Sequence, residues 1–233
     1  MSTATTTAMV SLVGSLADNK AALGRRYAEW AVSAPTLESA VAAAAMAQDE
    51  LGHSRSTYPV LKSLGVEVAP DDDGFGGDRR LGLLDGELPD WNAFIAANLL
   101  VDGVLTTFVA ACVDSSVEQM AARAKKILQE EGSHRVHGEA WAKRLCRGAQ
   151  RDAFLARLRE TWEEAGRWIG PDDDAAYAAA VQAGEVKQTP AHQRELMRKW
   201  LTGVLASEGV ELELADPADW SGWDPERRRW TAS

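Results

Sequence analysis

The repeated pattern Asp49-Glu50-Leu51-Gly52-His53 and Glu130-Glu131-Gly132-Ser133-His134 sets the architecture of this chain. In both copies a Glu stands three residues before a His, and the chain has only four His in all. Positions i and i+3 share one helix face, so Glu50 with His53, and Glu131 with His134, each offer a carboxylate oxygen and an imidazole nitrogen to one point. A further acid, Asp49 or Glu130, precedes each pair. A metal-bound imidazole gives its free N–H to a carboxylate, which makes Asp49 and Glu130 candidates for orienting the rings. The competing reading of these two acids is a solvated acidic face.

Working outward, each pattern falls in the middle of the second helix of a hairpin. Apolar residues Val13, Leu16, Leu23, Tyr27 and Trp30 recur at helical spacing from Met9 to Ala31, predicting a first helix that ends near Ser33. After the Ala34-Pro35-Thr36 turn, an Ala-rich run predicts a second helix from Leu37 to about Leu64, closed by Gly65. Val66 to Asp90, with its Asp71-Asp72-Asp73-Gly74 run, reads as a long connection and a potential lid. A third helix is expected from about Trp91 to Cys112. A fourth opens on a capping box, Ser115 with Glu118, and reaches about Leu145. A fifth spans Arg151 to Ile169 and stops at Gly170-Pro171; a sixth starts at Thr189-Pro190 and stops near Gly209. Val210 to Ser233 reads as an irregular docked tail. Two hairpins joined by one long crossover are the ferritin-like arrangement, so an all-α four-helix bundle is expected as a single domain over 1–233. Its core is about 9–148, with C-terminal helices and tail in 149–233.

An antiparallel hairpin mirrors positions about its turn, which locates the remaining metal-facing residues. Reflecting Glu131 about a turn near Ser115 and Ser116, centred at about position 116.5, lands on Asp102, an acid inside the apolar stretch Leu99 to Leu105; burying it calls for a partner or a cation. Reflecting Glu50 about Ala34–Pro35 lands between residues 18 and 20. Glu29 is roughly 13 to 16 Å away at the helical rise of about 1.5 Å, which removes it. The apolar stripe includes position 20 and turns Asp18 away from the site. A lysine, Lys20, thus stands where di-iron and di-manganese bundles carry a carboxylate. Three roles are open to it: an ammonium paired with Glu50 and Glu131 in place of metal charge, a deprotonated ligand, or a side chain that snorkels to solvent.

With 35 acidic against 25 basic residues the formal charge is −10, which argues against nucleic acid as the main partner. Cys112 and Cys146, 34 positions apart, supply neither a metal motif nor a disulfide framework and suit a reducing cytoplasm. No apolar run is read as a membrane span, and the polar N-terminus has no basic leader.

The chain resembles the ferritin-like di-iron proteins of the bacterial phenylacetyl-CoA epoxidase family, the catalytic subunit above all and benzoyl-CoA epoxidase more distantly. The likeness rests on Ala34-Pro35-Thr36-Leu37, Gln48-Asp49-Glu50-x-x-His53, Leu100-Val101-Asp102-Gly103, Lys126-Ile127-x-x-Glu130-Glu131-x-x-His134 and Gly170-Pro171-Asp172-Asp173, and extends to the final helix and tail. It implies Glu50, His53, Asp102, Glu131 and His134 as metal ligands, two irons, O2 activation and epoxidation of an aromatic acyl-CoA. It also implies a ferritin-like scaffold partner and an external reductase; a homodimer is the other assembly open to such a bundle. Two features depart from the catalytic pattern. The family's first-helix Glu aligns with Lys20, which leaves one metal or none as alternatives, and Leu16-Ala17-Asp18-Asn19 resembles the non-catalytic scaffold subunit. The expected function is accordingly an oxygenase subunit, with a scaffold subunit as its alternative and a metal store as the third reading.

The other residues read more blandly. His137 is expected as a half-buried histidine and His192 as exposed. Trp30, Trp91, Trp141, Trp162, Trp168 and Trp200 are expected in the core. Arg25, Arg26, Arg79 and Arg80 could meet phosphates, but a solvated surface is the favoured reading.

Overall fold

The computed structural model describes residues 6–66 and 77–231. Helix α1 (Thr7–Trp30) and helix α2 (Leu37–Ser63) form the first hairpin. Each starts on a threonine whose hydroxyl accepts from a backbone N–H three residues on, Thr6 from Met9 and Thr36 from Ser39. Gly65, at φ +83°, ends α2, and the Val66 N–H closes back on the Leu61 carbonyl.

The second hairpin begins with α3 (Trp91–Ala96), which passes through a π-helical turn at Ala97–Asp102 into α4 (Gly103–Ala111). It returns as α5 (Glu118–Arg147). Leu16, Leu23, Phe94, Leu105 and Ile127 lie in the common core, which makes the chain an all-α ferritin-like bundle. Outside it pack α6 (Arg151–Trp168), α7 (Ala175–Gln182) and α8 (Pro190–Ala206).

Several expectations need correcting. The Ser115–Glu118 capping box does not form: Ser115 Oγ accepts from the Val117 N–H, and α5 starts at Glu118. Helix α7 is an addition; its run Ala175-Ala176-Tyr177-Ala178-Ala179-Ala180 has no apolar period to read, and the Asp174 carboxylate caps it. The tail carries a two-residue antiparallel ladder, β1 (Trp223–Asp224) against β2 (Arg229–Trp230). The helical span Trp91–Ala111 is, by length and composition, apolar enough to cross a membrane, contrary to the sequence reading. Here 78% of its most apolar window is buried inside the bundle, and it carries Asn98 and Asp102 inward.

The acidic run 71–74 of the connection lies outside the described residues. The remainder, from Gly77 to Asp90, is tied to the flank of α1. Asp18 accepts from Tyr58 Oη at 2.8 Å and from the Arg79 backbone N–H at 3.2 Å, while the Leu81 N–H donates to Asn19 Oδ1 at 2.8 Å. Arg26 Nε donates to the Leu84 carbonyl at 3.1 Å, and Arg80 Nε to Asp85 at 2.7 Å. Arg26, Arg79 and Arg80 are therefore structural fasteners of the crossover rather than a solvated basic surface. Asp18 does face away from the mirrored site, and it is wholly buried.

Candidate metal centre

Four helices deliver one acid or base each to a point between the hairpins: Lys20 from α1, Glu50 from α2, Asp102 from the π-helical turn and Glu131 from α5. Lys20 Nζ donates to Glu50 Oε1 at 2.9 Å, Asp102 Oδ1 at 2.7 Å and Glu131 Oε1 at 2.6 Å. The side chains are 0 to 5% exposed. The contacts are those of the first of the three roles open to Lys20, an ammonium paired with Glu50 and Glu131, here with Asp102 as a third partner. Burial works against the charge, but Asp102, Glu131 and Glu50 outweigh it and hold the lysine well above its ordinary value.

His134 Nδ1 lies 3.0 Å from Asp102 Oδ2, and its Nε2 lies 3.2 Å from Asp49 Oδ2. Burial pushes this ring towards neutrality; the carboxylates of Asp102 and Glu50 overcome it and raise the pKa to about 11. His53 Nε2 meets Glu130 Oε2 at 2.7 Å. Its Nδ1 stands 3.4 Å from Glu131 Oε1 and 3.6 Å from Glu50 Oε1, and it makes no hydrogen bond among the described residues. Burial again opposes the charge on His53, and those two carboxylates, acting at this range as charges, bring it to about 9. Asp49 and Glu130 thus take the orienting positions expected of them, but crosswise: each acid holds the histidine of the opposite hairpin. The sequence could not show the exchange, because it arises from how α2 and α5 stagger against each other.

The structure brings Glu50, Asp102, Glu131 and His134 into one buried group whose potential ligand atoms lie within 4.8 Å of one another, with His53 at its edge. The π-helical turn, invisible in the sequence, ends at Asp102; such turns often occur at functional sites. His137, both ring nitrogens unpartnered among the described residues, packs edge-on to Trp91 and Phe94 and takes no part. His192 is half exposed, at 52% of its side chain. Trp162 and Trp168 are core, and Trp30, Trp91 and Trp141 form a half-buried ring cluster. Trp200 is half-buried against the core and also lines a cavity.

Three carboxylates and two imidazoles are suitable donors for iron. The lysine changes the fit. One oxygen of each carboxylate is already directed to Lys20 Nζ, and the raised pKa values of both imidazoles set a proton in competition with any metal. With Lys20 in this position the residues do not fit a pair of iron ions, although Glu50 Oε2 and His53 Nδ1 are left without hydrogen-bond partners among the described residues.

A ferritin-like bundle holding a buried carboxylate and imidazole cluster between its hairpins defines the class of protein. Within that class, the chain belongs to the phenylacetic acid catabolic protein family, whose sequence model matches residues 1–233. It is similar to one of the subunits of 1,2-phenylacetyl-CoA epoxidase from Escherichia coli (strain K12), with 31% identity over 137 residues. That match covers 57% of this chain and 55% of the relative, so the chain spans about half the length of the curated relative it matches.

Proposed function

We propose that this chain is a non-catalytic ferritin-like subunit of a multi-subunit oxygenase of the acyl-CoA epoxidase type, its Lys20 ammonium taking the place of metal charge. The observation that carries the reading is the triple contact of Lys20 Nζ with Glu50, Asp102 and Glu131. An ammonium is a fixed cation that cannot change oxidation state, so a centre built on it has no means of reducing O2. In this reading the subunit supplies a stable bundle surface to a homologous chain with a complete ligand set, and the external reductase serves that chain. The similarity to a protein named as an epoxidase subunit supports the complex. Buried free thiols at Cys112 and Cys146 suit a cytoplasmic setting.

The oxygenase reading keeps one observation in its favour: Glu50 Oε2 and His53 Nδ1 are buried, unpartnered and close to the cluster. Under it Lys20 would have to leave the three carboxylates before iron entered. Metal analysis of protein expressed aerobically with iron separates the two. The scaffold reading expects at most one iron per chain in the natural protein, rising in Lys20→Glu. Two irons in the natural protein would overturn it.

A further inference from the structure

The turn of α1 that carries Lys20 has little apolar anchorage. It reads Leu16-Ala17-Asp18-Asn19-Lys20-Ala21-Ala22-Leu23, so no apolar side chain larger than alanine lies between the two leucines. Outside the cluster its anchors are polar, and apart from Tyr58 they come from the crossover. Asn19 donates to the Arg79 carbonyl at 3.2 Å and accepts from the Leu81 N–H at 2.8 Å. Asp18 accepts from the backbone N–H and from Nε of Arg79, both at 3.2 Å. Both side chains are wholly buried. Lys20, next in the chain, reaches the other way into its carboxylates.

The sequence is shaped for this close approach. A Cβ at Gly77 would lie 2.5 Å from Asp18 Oδ2, and one at Gly14 would run into the Arg79 guanidinium, so the two glycines let the crossover lie against α1. The crossover is itself held from outside. Glu164 of α6 accepts from the Gly82 and Leu83 N–H groups, Arg227 donates to Asp78 at 2.9 Å, and Arg229 donates to Asp85. The β1–β2 hairpin that carries these two arginines is seated on the bundle at two points. Ser11 Oγ lies 2.7 Å from the Pro225 carbonyl oxygen and 2.8 Å from that of Glu226, and Arg228 donates to the carbonyls at the end of α6.

We propose that crossover residues 77–90 and the β1–β2 hairpin act together as a clamp that fixes Lys20 in the cluster, with Asp18 and Asn19 as its positioning residues. Lifting the hairpin loosens the crossover; this frees the Asp18–Asn19 turn and lets the ammonium leave its carboxylates. The tail thereby sets how firmly the centre of the bundle is filled. The clamp rests on the ammonium reading of Lys20 given above and requires no metal.

NMR of the full chain with isotope-labelled lysine reads the Lys20 ammonium directly, because a buried, fully bonded ammonium exchanges its protons with water slowly; Lys20→Met assigns the signal. Gly77→Ala forces the crossover off Asp18 and should quicken that exchange at least about tenfold, with the circular dichroism spectrum unchanged. Arg229→Gln, which keeps every buried contact of the crossover, should quicken it about threefold and gives the same reading should Gly77→Ala not fold. Hydrogen exchange at the Leu81 amide should rise in both. Val204→Ala, a core truncation on α8, lowers stability away from α1 and should leave the ammonium as it is. An ammonium signal missing from the natural protein would overturn the reading of Lys20 on which the clamp rests. A signal present but unaltered in a folded Gly77→Ala or in Arg229→Gln, an unchanged Leu81 amide in both, or equal quickening in Val204→Ala would overturn the clamp and leave that reading intact.

Discussion

Replacing Lys20 with methionine keeps the length and apolar volume of the side chain and removes its charge. The three carboxylate oxygens now satisfied at 2.6 to 2.9 Å would then face one another in a site from which water is excluded. Removing one partner of a buried ion pair costs about 3–5 kcal/mol, because the remaining charge stays buried. Folded domains have only about 5–15 kcal/mol in total, so Lys20→Met should lower the urea midpoint by roughly 1–2 M at neutral pH. The loss should also depend on pH. Burial works against the charges of Glu50 and Glu131, and Lys20 is among the groups that hold both below their ordinary range. Without it their pKa values rise, one carboxyl takes up a proton, and the deficit shrinks as pH falls towards 5. Manganese(II) or zinc(II) should restore part of the stability of Lys20→Met and do little for the natural protein. Urea melts of both proteins across this pH range, with and without metal, are the assay. A deficit under about 1 kcal/mol, or one independent of pH, would refute the counter-ion role.

Further outcomes follow from other parts of the molecule. The raised pKa values of His53 (about 9) and His134 (about 11) contribute stability that is complete below 6.5 and lost as pH rises through those values. The lowered values of Glu50 and Glu131 contribute above 4.5 and are lost in acid, so the cluster's contribution should be greatest between 4.5 and 6.5 by urea melts. Arg228, wholly buried, donates to the carbonyls of Trp168 and Ile169; Arg228→Leu should release the tail, seen as faster proteolytic cleavage after residue 210 with the bundle intact. Tyr58→Phe removes a donor from buried Asp18 and should cost about 1–3 kcal/mol, with earlier hydrogen exchange at Leu81 as the crossover loosens. Gly52, in the interior of α2 with nothing near its absent Cβ, should accept alanine with a gain of about 0.5–1 kcal/mol in a thermal melt.

Legibility in the sequence follows the range of each interaction. The hairpins, their turns and the levels of Asp102 and Lys20 are readable, because helix periodicity and antiparallel reflection are local rules that need no tertiary information. The same rules remove Glu29, which pairs with Arg26 at 2.6 Å, one turn away on its own helix. The crosswise pairing of Asp49 with His134 and Glu130 with His53 is out of reach, since it depends on the stagger of α2 on α5. The three arginines that fasten the crossover, Arg26 on α1 with Arg79 and Arg80, mislead for a related reason. A basic side chain looks solvent-bound until one knows which backbone carbonyls and carboxylates, such as Leu84, Asp85 and Asp18, the fold carries to it. The π-helical turn leaves no signal because Leu99, Leu100 and Val101 are apolar on every face, and one extra residue among them changes no pattern.

Retention of five ligand-type residues reads at first as evidence for metal. The structure supplies another reason for keeping them. Once Lys20 occupies the centre, its ammonium needs the three carboxylates as much as they need it, and Asp102 and Glu50 in turn face His134. Loss of any one member leaves the buried charges of the cluster unbalanced, at a cost of several kcal/mol. A bundle that had exchanged iron for lysine would therefore be held to the same acids and histidines by folding alone, and their presence does not distinguish a working centre from a filled one. What distinguishes them is the residue at position 20. Glutamate there would complete the ligand set and add negative charge that only bound metal could offset; lysine completes the neutralisation without metal. The decisive comparison is therefore the stability of Lys20→Glu with metal removed. It should be lower than that of Lys20→Met, because it adds a fourth carboxylate to the same buried site, and recovery with iron(II) should be larger. Equal stabilities for the two variants would mean that position 20 does not face the cluster in solution.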